Sequence, residues 1–167
     1  KSLKLKNQNL KLIKNGINIQ DKKYSIKTLK SSKISNKKNF IKFLYLGSPR
    51  KIRGFELMLK SFSESSKKTD QIFLKILARR DKVLEKNKVD NLIKYYKLSN
   101  FVEYISASLS NDEIREELIK TDVVLLPFIL APSDVPLAVL EAMAYGKLVI
   151  TSDIDGITEL IKGRGVL

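Results

Sequence analysis

Five times along the chain a short apolar run is followed by a stretch of helical spacing, and this alternation leaves few folds open. The runs are FIKFLYL (40–46), IFLKILA (72–78), FVEYIS (101–106), DVVLLPF (122–128) and LVITS (148–152). Between them, residues 54–67 gather Phe55, Leu57, Met58, Leu59 and Phe62 on one side, and 83–97 space Val83, Val89, Leu92, Ile93 and Tyr96 as a helix does. Ser110 followed by Glu113 is a capping box, opening a helix to about 120. A further helix spans about 136–145 and stops at Gly146, and a short one spans about 156–162. Several of the runs lack period-two alternation, as strands do when both of their faces are covered. The sequence therefore predicts an α/β domain, a Rossmann-like parallel sheet with helices on both faces. Sheets of this kind bind ligands beyond the carboxyl ends of their strands. The loops at 47–54, 127–136 and 152–156 are where a site is expected.

Composition narrows the chemistry. The 167 residues include no cysteine and no histidine, which excludes thiol nucleophiles, disulfides, Ser-His-Asp triads and His- or Cys-ligated metals. No apolar run approaches the roughly 18–20 residues of a membrane-spanning helix. The net charge of +14 is unevenly spread. Residues 1–38 hold twelve lysines, no arginine and one acid, Asp21, whereas residues 39–167 hold 20 basic and 17 acidic residues. Two units are expected: a basic leading segment over 1–38, with a strand at 10–13, a turn at Asn15-Gly16 and a linker or solvated edge from 20, and a globular domain over 39–167. The chain opens on Lys1 and closes on Gly-Val-Leu at 165–167, which reads as a further element cut short, so a fragment of a longer protein is expected.

The most informative segment is PFILAPSDVPLAVLEAMAYGKLVITSDIDGITELI, 127–161. A strand ends, a loop carrying Ser133 and Asp134 follows, and Pro136 lies near a helix start, where its missing N–H costs little. The N–H groups of Leu137, Ala138 and Val139 lack partners inside that helix, and such a helix start suits a phosphate. Glu141 sits a turn further in, among Leu, Ala, Val and Met. Either it lies on a solvent stripe, or it is buried and needs a partner such as a sugar diol.

This segment resembles the donor-site signature of retaining GT-B glycosyltransferases of family 4: a Pro-Ser-rich loop, a Glu, seven residues, a second Glu, then Ala-Met-Ala and Gly. Glu141 matches the second Glu, followed by Ala142, Met143, Ala144 and, after Tyr145, Gly146. FLYLGSPRKIRGFELMLKSF resembles the strand, glycine loop and helix start of the same domain, with Gly47 and Gly54 at its two glycines and Arg53 at the basic position. SNFVEYISASLSNDEIREELIKTDVVLLPF resembles the stretch that joins that start to the donor loop, and DGITELI the stretch beyond the donor helix. LKLIKNGIN is similar to the junction between the two GT-B domains. The resemblance covers 39–167 and, more thinly, 10–18. Three positions depart from the pattern. Ser133 stands where the first Glu belongs, with Asp134 next to it either as a substitute or as a helix cap. Pro136 replaces a small Gly. Ser48 replaces an Arg, whose charge Arg50 or Lys51 supplies unless both are solvated loop residues.

The resemblance implies one half of a GT-B fold that takes part in transferring a sugar from a nucleotide diphosphate sugar, with retention of configuration, in carbohydrate biosynthesis. It implies that Glu141 holds the ribose hydroxyls, that Arg53 and the 137–139 amides hold the diphosphate, with Arg53 and Glu141 as the catalytic pair, and that Gly47, Ser48, Ser133, Asp134, Pro136, Leu137 and Ala138 line the donor. No cofactor and no metal are implied. The expected partners are the nucleotide sugar, an N-terminal acceptor-binding domain absent from this chain, and an anionic membrane surface, with the protein cytoplasmic and peripheral at the inner membrane face. Three other readings stay open. One is a binding module for anionic membrane or nucleic acid built on the lysine-rich segment, although that segment has one aromatic, Tyr24, for base stacking, and no nucleic acid is expected. Another is an inactive GT-B domain serving as a partner subunit. The third is a sugar-nucleotide epimerase of similar architecture.

Overall fold

In a computed structural model, which describes residues 40–78, 86–130 and 136–162, strands and helices alternate through the described residues. They are β1 (Ile41–Leu46), α1 (Phe55–Ser66), β2 (Ile72–Ala78), α2 (Lys86–Tyr95), β3 (Val102–Ser106), α3 (Asn111–Lys120), β4 (Val123–Leu126), α4 (Leu137–Ala144), β5 (Leu148–Thr151) and α5 (Asp155–Ile161). All four strand pairings are parallel, in the order β3-β2-β1-β4-β5. The leading segment 1–38, with its expected strand and turn, lies outside the described residues, as do positions 83–85, Ser133, Asp134 and the closing Gly-Val-Leu.

Strand parity separates two cores. In β1, Leu44 and Leu46 join Val124 and Leu126 of β4 under α3, α4 and α5, where Leu118, Val139, Ala142, Ile157 and Ile161 are buried. Phe43 and Tyr45 point the other way, into a cluster with Phe55, Met58, Leu59 and Phe62 of α1 and Val89 and Ile93 of α2. Burying both faces is why the runs carry no polar alternation. The sheet is thus covered by α1 and α2 on one side and by the other three helices on the opposite side.

Local chemistry sets the helix ends. The Ser110 hydroxyl accepts from the Glu113 N–H at 3.3 Å, and the Glu113 carboxylate accepts from the Ser110 N–H at 2.7 Å, the reciprocal capping box the spacing predicts. The α4 helix ends in a Schellman motif: Gly146, at φ 63°, donates to the Met143 carbonyl, and Lys147 donates to that of Ala142. The Lys147 ammonium then reaches back to the Ile119 and Thr121 carbonyls at 3.0 and 2.8 Å, closing the end of α3.

β1 and β4 are neighbours, yet the chain leaves them for opposite faces, to α1 and to α4. The strand order reverses between them, and the two loops that follow these strands meet there.

Candidate functional site

The loop after β1 is built for close contact. Gly47 has φ 140° and Gly54 has φ 68°, backbone that L side chains rarely adopt. A Cβ on Gly54 would stand 1.6 Å from the carbonyl oxygen of Pro127, at the end of β4, so only glycine lets the two loops approach this closely. Next to it the Ile129 and Leu130 N–H groups both donate to the Ile52 carbonyl, at 2.9 and 3.0 Å. The 47–54 and 127–130 segments are therefore zipped together across the point where the strand order reverses.

Arg53 lies within this junction. It closes a 3-10 turn over Lys51–Arg53, with its N–H on the Arg50 carbonyl. Its guanidinium sits 5.9 Å from the centroid of the Phe128 ring, a cation–π arrangement, and passes over Gly47, where a Cβ would come within 2.8 Å of Nη1. Gly47 is thus the floor on which the Arg53 side chain lies. Beneath the loop, the buried Tyr45 phenol donates to the Ser48 carbonyl at 2.8 Å. Burial pushes the Tyr45 pKa well above its usual value, against the pull of the nearby Arg53 charge. Arg50 and Lys51 are exposed, and Lys51 lines a groove on the α1 side.

The α4 start lies on the other side of the reversal point. Pro136 is buried at the N-cap with extended backbone. The expectation that three amides are left unpartnered in the first turn needs correction. The Pro136 carbonyl accepts from the N–H of Val139 at 3.0 Å and of Leu140 at 3.4 Å, so the Val139 amide is turned back into the helix. That leaves the Leu137 and Ala138 amides as those outside the helix ladder. Glu141 is half-buried and lies one turn beyond Leu137 and Ala138, on their stripe of the helix, while Val139 and Ala142 face the core. Tyr145 accepts a hydrogen bond from Arg115 Nε at 2.8 Å, tying the far end of α4 to α3. In the third expected loop, Asp153 accepts from the Thr158 hydroxyl at 2.6 Å and holds the start of α5.

Gly47, Ser48 and Arg53 thus share one loop at the strand ends, and Pro136, Leu137, Ala138 and Glu141 share the helix beyond the neighbouring strand. Tyr45 and Phe128 also shape the site, and sequence reasoning took both only as strand residues. Parity places Tyr45 on the α1 face with Phe43, but nothing in the sequence reveals that its hydroxyl pins the Ser48 carbonyl. Among the described residues no group of three or more Asp or Glu is placed to hold a metal ion.

The family model for glycosyl transferases group 1 matches residues 26–165. No curated protein matches the chain in sequence. Among solved structures, a sucrose-phosphate synthase from Thermosynechococcus elongatus superposes with a TM-score of 0.65 at 20% identity, over 78% of this chain and 33% of its own. The C-terminal domain of a group 1 family glycosyl transferase from Francisella tularensis gives 0.64 at 20% identity, over 75% of this chain and 66% of its own. The Anabaena protein HepE, solved with UDP and glucose, gives 0.65 at 19% identity, over 77% of this chain and 34% of its own. The chain spans about a third of the length of the sucrose-phosphate synthase and of HepE. Its fold is the Rossmann-like half of a GT-B glycosyltransferase, and with the family model matched over well above half of its length, the chain belongs to the glycosyl transferases group 1 family.

Proposed function

We propose that this domain binds a nucleotide diphosphate sugar and serves as the donor half of a retaining glycosyltransferase whose acceptor site lies on a second domain. The observation that carries the reading is the zipped junction of the β1 and β4 loops, which fixes Arg53 over Gly47 and against Phe128 at the strand ends. When the bond between the sugar and the diphosphate breaks, negative charge builds on the leaving phosphate. A guanidinium already held in place, with the Leu137 and Ala138 amides, stabilises that charge without reorganising. Glu141, a turn deeper on α4, takes the ribose hydroxyls, and Gly47 and Ser48 offer close backbone approach. Ser133 and Asp134 are assigned to the sugar end. The reaction calls for no cofactor, and the base that receives the acceptor proton comes from the leaving phosphate or the second domain.

The test is an NMR titration of this chain with UDP, GDP and ADP, wild type beside Glu141→Ala. The reading expects one nucleotide to give saturable shifts at residues 47–54 and 137–141, weakened at least tenfold in the variant, since a hydrogen bond to a charged group contributes about 1.5–3 kcal/mol. A folded domain that answers to none of the three would overturn it in favour of a GT-B domain repurposed for another partner.

A further inference from the structure

The two helical faces of the domain differ in charge. On the α1/α2 side, described residues 47–70 and 86–101 carry ten basic and four acidic side chains. On the opposite side, residues 107–122, 136–147, 152–154 and 156–162 carry eight acidic and four basic ones. The basic side also carries a group of exposed apolar side chains. A groove of about 310 Å³ runs along α1, lined by Lys51, Glu56, Leu57, Lys60, Tyr96 and Ile129. Its apolar strip continues in both directions. The Tyr95 ring, 77% exposed, stacks edge-on against Tyr96 at 5.1 Å. At the other end Ile52 and Leu130, both exposed, join Ile129 through the hydrogen bonds that zip the two loops. Lys94 and Lys97 stand exposed beside Tyr95 and Tyr96.

We propose that this strip is a docking surface for an anionic lipid bilayer. A contiguous line of exposed Ile, Leu and Tyr marks an interaction surface. Aromatic rings with polar tips and flanking lysines suit the interface between headgroups and acyl chains. The acidic opposite face is repelled by the same surface, so the charge asymmetry sets the orientation as well as the attraction. Because Ile52 and Ile129 belong to the two loops that frame Arg53, docking brings the strand-end crevice down to the membrane. The proposal does not depend on the donor site being active, and it assigns the contact to α1 and α2 rather than to the lysine-rich leading segment.

The chain contains no tryptophan, so a single introduced one reports its own surroundings. Leu57→Trp and Tyr95→Trp place the reporter on the strip. Leu148→Trp places it at the amino end of β5, an exposed position at the other end of the sheet from the groove. With vesicles of phosphatidylglycerol and phosphatidylcholine, the first two emissions shift to the blue and the third does not, and with phosphatidylcholine alone none moves. Replacing Lys60 and Lys94 together by Gln lowers partitioning onto the anionic vesicles about thirtyfold. Several outcomes overturn the proposal: no binding to anionic vesicles, binding with the reporters at 57 and 95 still in a water-like environment, as attachment through residues 1–38 would give, or a shift at 148. So does a shift of the strip reporters by single-stranded oligonucleotides in place of vesicles.

Discussion

Gly54→Ala gives the sharpest test of the junction that frames the site. The new Cβ would stand 1.6 Å from the Pro127 oxygen. Even a close C–H···O contact keeps carbon and oxygen about 3.3–3.6 Å apart, so the end of β4 must retreat by roughly 1.7 Å or more. The obstacle is backbone, which no rotamer change relieves. Retreat of Pro127 pulls Ile129 and Leu130 from the Ile52 carbonyl, at about 1 kcal/mol for each hydrogen bond. Placing an L side chain at φ 68° adds about 1–2 kcal/mol. The total is about 3–4 kcal/mol, a large share of the 5–15 kcal/mol typical of a whole domain. Gly146 supplies the control: its φ is 63° and nothing lies within 4 Å of its would-be Cβ, so Gly146→Ala bears the backbone cost alone, about 1–2 kcal/mol. Urea unfolding of both variants, read as midpoints at unchanged m, measures the difference. Equal destabilisation of the two, or a loss below about 1 kcal/mol for Gly54→Ala, would refute the close approach of the two loops.

Two further substitutions separate binding from stability. At Gly47 the would-be Cβ meets only the end of a flexible side chain, Arg53 Nη1, so Gly47→Ala costs about 1–3 kcal/mol of backbone strain, and it displaces the guanidinium. Nucleotide affinity in the titration above should fall about tenfold or more, and unchanged affinity would remove Arg53 from the diphosphate site. Tyr45→Phe deletes the hydrogen bond to Ser48 and should cost about 1 kcal/mol at neutral pH. The wild-type phenol has its pKa raised from 10.0 by burial, so its contribution is fully present below pH 10 and is lost as the pH rises toward the raised folded value. Lysine titration is common to both proteins, so the gap between wild type and Tyr45→Phe in urea unfolding should narrow above pH 10. A gap that stays constant with pH would show that the phenol is not buried as described.

What the sequence revealed and what it hid divide along a physical line. Periodicity reports burial, and burial here is two-sided, so apolar runs such as 72–78 and 122–128 predict the parallel sheet that the structure has. Capping chemistry is local in sequence, which is why Ser110 with Glu113 and the stop at Gly146 appear where the spacing puts them. The site is another matter, because its contacts join residues far apart in the chain. Gly54 is legible as a loop glycine, but its reason for being glycine is the Pro127 carbonyl, 73 positions away. The Arg53–Phe128 contact depends in the same way on strand order, which no local pattern encodes, whereas the Tyr45–Ser48 hydrogen bond spans three positions and depends on how the loop turns after β1. Even the first turn of α4 departs from the usual helix start, since the Pro136 carbonyl takes the Val139 amide. On the reading proposed here the motif residues mark the donor site, and its grip on the diphosphate would rest on the two glycines: Gly54 lets the loops meet, and Gly47 lets Arg53 lie flat between them.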